Sequence, residues 1–255
     1  MTQPVFDAHL HIVDPAHPLV ENNGFMPGPF MVADYQRRIE GLGIAGGAVV
    51  SGSFQAFDQG YLIDALAALG PTYVGVTQIP SDTSDERIRE LNAAGVRAVR
   101  FNVARGGSAD LDELELLARR VYDLAGWHAE LYIDARTIDD ELSRRIASLP
   151  AASIDHLGMH GDGLANLLRL VEQGVKVKAT GFGRVELDPR RSRQSCRSTR
   201  PPSWSAPICP RPARAARSRT ATSTRSRMHS HPSSSTPCFG ATRRCSIWAA
   251  DRLTH

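Results

Sequence analysis

The stretch Val5-Phe6-Asp7-Ala8-His9-Leu10-His11-Ile12 decides the fold. Val5, Phe6, Leu10 and Ile12 are large and apolar, four of its eight residues, which reads as a short buried strand near the N-terminus. Side chains alternate along a strand, so His9 and His11 share a face, about 6–7 Å apart. Two imidazoles so placed can grip one metal ion or one anionic substrate. Two ordinary histidines at a strand end would look the same, and the rest of the chain has to decide.

A repeating unit follows. A Pro/Gly loop runs from Pro15 to Pro29, and Val32–Leu42 reads as a helix stopped by Gly43. Further strands are expected at Ile44–Val50, Tyr73–Ile79, Val96–Val103, His128–Asp134, Ser153–Met159 and Val175–Thr180. Helices are expected between them at Tyr61–Leu69, Ser84–Ala94, Leu111–Ala125, Ile138–Leu149 and Leu164–Gln173, most of them closed by a glycine. Strands alternating with helices imply parallel βαβ units. The candidates are a (β/α)8 barrel and an open doubly wound sheet. No Gly-x-Gly-x-x-Gly follows the first strand, and the long first loop and polar strand ends favour the barrel. The expected fold class is therefore α/β, a (β/α)8 TIM barrel. It is expected to be incomplete, with a barrel over residues 1–189 and a different text over 190–255.

In such a barrel the carboxyl ends of the strands form the site. Those ends offer His9 and His11, then Gln78, then Arg100 and Asn102. Tyr132 and Asp134 follow, then Asp155, His156 and His160, and finally Lys178, Thr180 and Arg184. Bland roles compete: Asp134 as a helix cap, His160 as a loop residue, Lys178 as a buried partner of a carboxylate. Polar groups are costly in a strand core, so their gathering at one end of several strands argues for a site. Three histidines with Arg100, Tyr132 and Arg184 suggest a substrate bearing carboxylates, which arginine pairs with bidentately.

Four segments in this order resemble the amidohydrolase superfamily. They are Phe6-Asp7-Ala8-His9-Leu10-His11, Gly95-Val96-Arg97-Ala98-Val99-Arg100-Phe101-Asn102, Ile154-Asp155-His156-Leu157-Gly158 and Val177-Lys178-Ala179-Thr180-Gly181. Within it they resemble the amidohydrolase-2 group of TIM-barrel metal-dependent hydrolases, which includes the 2-pyrone-4,6-dicarboxylate lactonases. The resemblance covers about residues 4–189. It implies a hydrolase that opens a lactone of a carboxylated metabolite by water attack. A metal-dependent amidohydrolase or decarboxylase on the same scaffold is the alternative. His9, His11 and His156 would be catalytic, and in much of the superfamily would hold a divalent metal such as zinc; the lactonase branch can work without one. Arg100, Asn102, Tyr132 and Arg184 would bind the small carboxylated substrate. The resemblance also implies a general base, an Asp in a Gly-Thr-Asp motif at strand 8, and this sequence has no such motif.

The last segment is built differently. Residues 190–255 hold fourteen arginines, no lysine, all four cysteines and a single acid, Asp251, for a net +13, whereas the whole chain carries only +3. A basic arm that binds nucleic acid is one reading. Such arms usually mix lysine with arginine and interleave aromatics. Here Trp204, Phe239 and Trp248 are scattered, which argues against a nucleic-acid partner. The other reading is a shifted frame of a GC-rich gene, giving a disordered tail. Read one nucleotide upstream, the codons for Ser203–Pro210 permit Val-Gly-Thr-Asp-Leu-Pro, the missing motif. No run of 18 apolar residues exists and no leader-like segment opens the chain, so a cytoplasmic protein with no membrane partner is expected.

Overall fold

The computed structural model describes residues 4–22 and 24–181. Among these residues seven strands form one sheet: β1 (Val5–Leu10), β2 (Ile44–Val50), β3 (Tyr73–Thr77), β4 (Val96–Phe101), β5 (His128–Leu131), β6 (Ala152–Ile154) and β7 (Lys176–Val177). Their spatial order is their chain order, and every neighbouring pair is parallel. Six helices connect them: α1 (Val32–Ile39), α2 (Gly60–Leu69), α3 (Asp85–Ala93), α4 (Leu114–Ala125), α5 (Asp140–Ala147) and α6 (Leu164–Glu172). The sheet curls into a partial barrel with these helices outside, as the alternation predicts.

Local chemistry sets the boundaries. Ser84 caps α3 by accepting the Arg87 N–H at 3.1 Å, and Asp139 caps α5 by accepting that of Leu142 at 2.8 Å. Gly126 ends α4 in the left-handed region at φ 70°. Gly46 in β2 is required by a close approach: a Cβ there would lie 2.3 Å from the Thr72 carbonyl oxygen. No helix among the described residues is long and apolar enough to cross a membrane.

The two faces of the sheet bury different things. Outward, Val49, Val99, Phe101, Leu131 and Ile154 pack with Leu62, Ile88, Leu91, Leu117 and Trp127 into the main core beneath the helices. Inward, Ala48, Val50, Val76 and Ala98, with Phe6 and Val74, make a smaller cluster. Residues 48 and 49, or 98 and 99, fall in opposite clusters, as a period of two requires.

Three expectations need correction. The sixth strand stops at Ile154 rather than Met159, because His156, Leu157, Gly158 and Met159 take left-handed φ values of 49°, 51°, 68° and 68°. The seventh is reduced to Lys176–Val177. The first is not a plain alternating strand, since its pairing with β2 slips between Asp7 and Leu10. Arg184, the expected tail at 190–255 and any eighth strand lie outside the described residues.

Candidate active site

The slip in β1 aims the histidines. Asp7 faces Gly47 and Leu10 faces Val49, so three steps on β1 oppose two on β2, a bulge. Phe6 packs into the inner cluster, and strict alternation would send His9 outward. After the bulge it is Leu10 and Ile12 that join the outer core, while His9 and His11 turn inward. Asp7 secures the bend: its carboxylate accepts the His9 backbone N–H at 3.2 Å and the Tyr35 hydroxyl, from α1, at 3.1 Å.

His9, His11 and His156 come together. The ring centroid of His9 lies 4.9 Å from His11 and 4.6 Å from His156, and Tyr132 stands edge-on to His156 at 5.3 Å. His11 Nδ1 donates to the Val50 carbonyl at 2.7 Å, which fixes its tautomer. His156 Nδ1 is 2.8 Å from Thr180 Oγ1. Gly181 is tied to that contact, since a Cβ there would lie 2.6 Å from the same nitrogen. The left-handed φ of His156 is a strained conformation for a residue with a side chain, of order 1–3 kcal/mol, held by these contacts.

A charged layer lies beside the rings. Arg100 Nη2 donates to Asp155 Oδ2 at 2.7 Å and Nη1 to the Ser51 carbonyl at 2.7 Å. Lys178 Nζ bonds Glu130 Oε2 and stands 3.7 Å from Asp155 Oδ1. His9 Nδ1 is 3.5 Å from that same Asp155 oxygen. Burial alone would raise the Asp155 carboxyl, but His9, Arg100 and Lys178 outweigh it and hold it well below the usual range. Burial lowers His9 well below the usual histidine range despite the pull of Asp155, so the ring is neutral at neutral pH. Burial, then the Asp155 charge, pushes Glu130 up to about 7 against the pull of Lys178 and Arg100.

Among the described residues, the buried side-chain atoms without a hydrogen-bond partner are His9 Nδ1 and Nε2, Arg100 Nε, Asn102 Oδ1, Glu130 Oε1, Ser153 Oγ and Asp155 Oδ1. All fall on the inward face. Four of them face one another just beyond bonding distance, His9 Nδ1 and Asp155 Oδ1 at 3.5 Å and Arg100 Nε and Glu130 Oε1 at 3.6 Å; native interiors leave few such atoms, so their gathering marks a candidate site. His9, Asp155 and His156 offer donor atoms within 4.8 Å of one another. Two imidazoles and a carboxylate suit a divalent cation of the zinc type, and the orphaned His9 and Asp155 atoms fit one.

The other expected residues take varied places. Arg100 is buried with its Nη2 on Asp155 and its Nη1 on the Ser51 carbonyl, its Nε without a hydrogen-bond partner and its Cζ 5.2 Å from the Tyr132 ring centroid. The donor atoms that gather are those of His9, Asp155 and His156, so Asp155 joins the expected set; His11 donates Nδ1–H to Val50 and has Nε2 as its acceptor nitrogen. Asn102 is buried and gives Nδ2 to Gln78 at 3.4 Å. Gln78 braces the loop after β2 through the Gly52 and Ala56 carbonyls. Asp134 caps a short turn by accepting the Arg136 N–H, and His160 does the same for Asp162. Glu130 was missed. Its signal was parity: it stands two residues before Tyr132 and opposite Ala129 and Leu131 on a four-residue strand.

The chain is similar to known proteins. A 2-pyrone-4,6-dicarboxylate hydrolase of Comamonas testosteroni is 31% identical over 157 residues, 60% of this chain and 51% of that protein. A D-galactarolactone isomerase of Agrobacterium fabrum is 27% identical over 180 residues, 66% of this chain and 60% of that protein. The chain thus spans about half the length of the curated relatives it matches. A crystal structure from Acinetobacter baumannii, titled a probable 2-pyrone-4,6-dicarboxylic acid hydrolase with citric acid bound, superposes with a TM-score of 0.64. It covers 76% of each chain at 19% identity, a likeness of fold. The family model described as amidohydrolase matches residues 6–208, most of the sequence, and the chain belongs to that family.

Proposed function

We propose that this chain opens the ring ester of a small carboxylated lactone by attack of water. The observation that carries the reading is the inward cluster of His9, Asp155 and His156 with its orphaned donor atoms, in an amidohydrolase-family chain whose relatives include a 2-pyrone-4,6-dicarboxylate hydrolase and a D-galactarolactone isomerase. His9 keeps its proton on Nδ1, facing Asp155, and leaves the Nε2 lone pair toward the reacting centre. His156 takes the Thr180 hydroxyl proton in a hydrogen bond at Nδ1 and holds its own proton at Nε2, where it polarises the lactone carbonyl. His11, fixed by Val50, completes the wall. Tyr132 and Asn102, with Arg184 beyond the described residues, bind the substrate's carboxylates. In place of these proton positions, a divalent cation would be held by His9, Asp155 and His156, each imidazole through an unprotonated nitrogen, and would supply Lewis acidity and an acidified water.

The test is a panel of carboxylated lactones, 2-pyrone-4,6-dicarboxylate among them. They are incubated with the chain, with and without zinc and after chelation, and acid release is followed by pH-stat. Ring opening is expected. His9→Ala should lower it by about 10²–10⁴-fold with little change in thermal midpoint. Unchanged turnover in that variant removes His9 from the role. Re-encoding residues from 190 onward in the upstream frame restores Gly-Thr-Asp and should raise turnover by about 10²–10⁴-fold, the contribution of a general base. If neither version opens any lactone under any metal condition, the reading is rejected.

A further inference from the structure

Three buried ionisable side chains, Arg100, Glu130 and Asp155, and the partly buried Lys178 lie beside the histidines, and their spacings are unequal. Lys178 is hydrogen-bonded to Glu130 Oε2 and only near Asp155 Oδ1, at 3.7 Å. Arg100 is hydrogen-bonded to Asp155 Oδ2 at 2.7 Å and only near Glu130 Oε1, at 3.6 Å. Each cation therefore has one close carboxylate and one loose one. Asp155 Oδ1 in turn has two groups beside it, His9 Nδ1 at 3.5 Å and Lys178 Nζ at 3.7 Å. In a water-poor interior a full ammonium attracts a carboxylate oxygen far more strongly than a neutral imidazole N–H does. The Lys178 stem is flexible enough to make that move. The one close bond that holds the ammonium back is the bond to Glu130.

We propose that Glu130 is a positioning residue: by retaining Lys178 it reserves Asp155 Oδ1 for His9, and so keeps the His9 proton on Nδ1. The proposal rests on the role given to His9 above. Glu130 suits the task because it is fully buried on β5, backed by Ala129 and Leu131 in the outer core. It lies at the level of the charged layer, where no substrate has to touch it.

Above about pH 7, where Glu130 is ionised, the variant Glu130→Gln keeps the shape and removes the charge. Lys178 should then move onto Asp155 Oδ1 and displace His9. On the full chain without substrate, the His9 ring nitrogen signals in nitrogen-15 NMR should shift. In the lactone assay kcat should fall about 10–100-fold, the usual cost of losing a group that orients a site residue, with KM unchanged. The double variant Glu130→Gln/Lys178→Met removes the competing ammonium as well. It should return the His9 signals toward wild type and turn over faster than Glu130→Gln alone. A residue that served only the fold would give no such rescue at His9. Wild-type His9 signals in Glu130→Gln, or a double variant no better than the single, overturns the proposal. The two failures are separable. If no lactone is opened by the wild type yet the His9 signals shift and are rescued, the reaction falls and the positioning role stands. If the wild type turns over and Glu130→Gln equals it, the reverse holds.

Discussion

The outward and inward faces of the same sheet are built to opposite rules. Val99 and Arg100 are chain neighbours, as are Leu131 and Glu130, or Ile154 and Asp155. The first of each pair lies in the apolar core beneath the helices; the second lies in the charged layer. The seven unpartnered buried side-chain atoms among the described residues sit on the inward face alone. Buried polar atoms without partners cost stability, of order 1–3 kcal/mol each. An apolar face of matched shape costs nothing of the kind. The sheet can hold a strained, charged site on one side because the other side is ordinary close-packed core.

The largest effect should come from the outward face. Trp127 is fully buried, packs in the outer core and gives its indole N–H to Asn92 Oδ1 at 3.1 Å. Trp127→Ala should cost about 3–5 kcal/mol in urea unfolding, the usual toll of a large aromatic lost from a core. Turnover per folded molecule should stay at the wild-type value well below the melting temperature. Changed turnover there would mean that the two faces are coupled, and the comparison would break.

A smaller effect should come from the inward face through pH. His128 shares the face of Glu130, and burial, with the Lys178 charge, lowers its pKa to about 4. The unfolded chain binds this proton near pH 6.5 and the folded chain does not. Folding stability is therefore whole above about pH 6.5 and is lost as pH falls from there to about 4, by up to about 3 kcal/mol. Carboxylates titrate in the same window, so the readout is the difference between wild type and His128→Gln. The variant should lose less stability over that interval. Parallel curves would show that His128 is not held neutral by this face.

The outward face was the legible one. Its apolar runs and glycine stops mark β2 at Ile44–Val50 and the end of α4 at Gly126 directly in the sequence. Such signals are local. The inward face depends on contacts across long spans of chain. Glu130 between Ala129 and Leu131 looks like a solvated strand residue until Lys178, 48 residues on, meets it. Nothing near Arg100 in the chain points to Asp155, 55 residues on, which accepts from its Nη2. The end of β6 was misplaced because the left-handed turn at His156 is held from outside, by Thr180 and by the Leu157 N–H donating to the Lys178 carbonyl at 3.0 Å. His9 faces inward through a bulge that alternation cannot show, although the shared face of His9 and His11 survives it.

The smallest effect belongs to the helix layer itself, away from both faces. Ser84 sits at φ −64°, ψ 153°, and its Oγ accepts the Arg87 N–H, one of the donors that a helix start leaves unsatisfied. Asp85 and Glu86 place negative charge in the same first turn, where the helix dipole favours it. Ser84→Ala removes only the cap and should cost about 1 kcal/mol. Ser84→Asp keeps an acceptor at the same place and should be close to neutral. Ile88 and Leu91 anchor α3 in the outer core, so fraying of the first turn should not move β4 or the charges it carries. Turnover should therefore match wild type in both variants. A loss above about 2 kcal/mol in Ser84→Ala, beyond the range of a single cap, or any change in kcat, would mean that the start of α3 supports the inward face as well as the outer core.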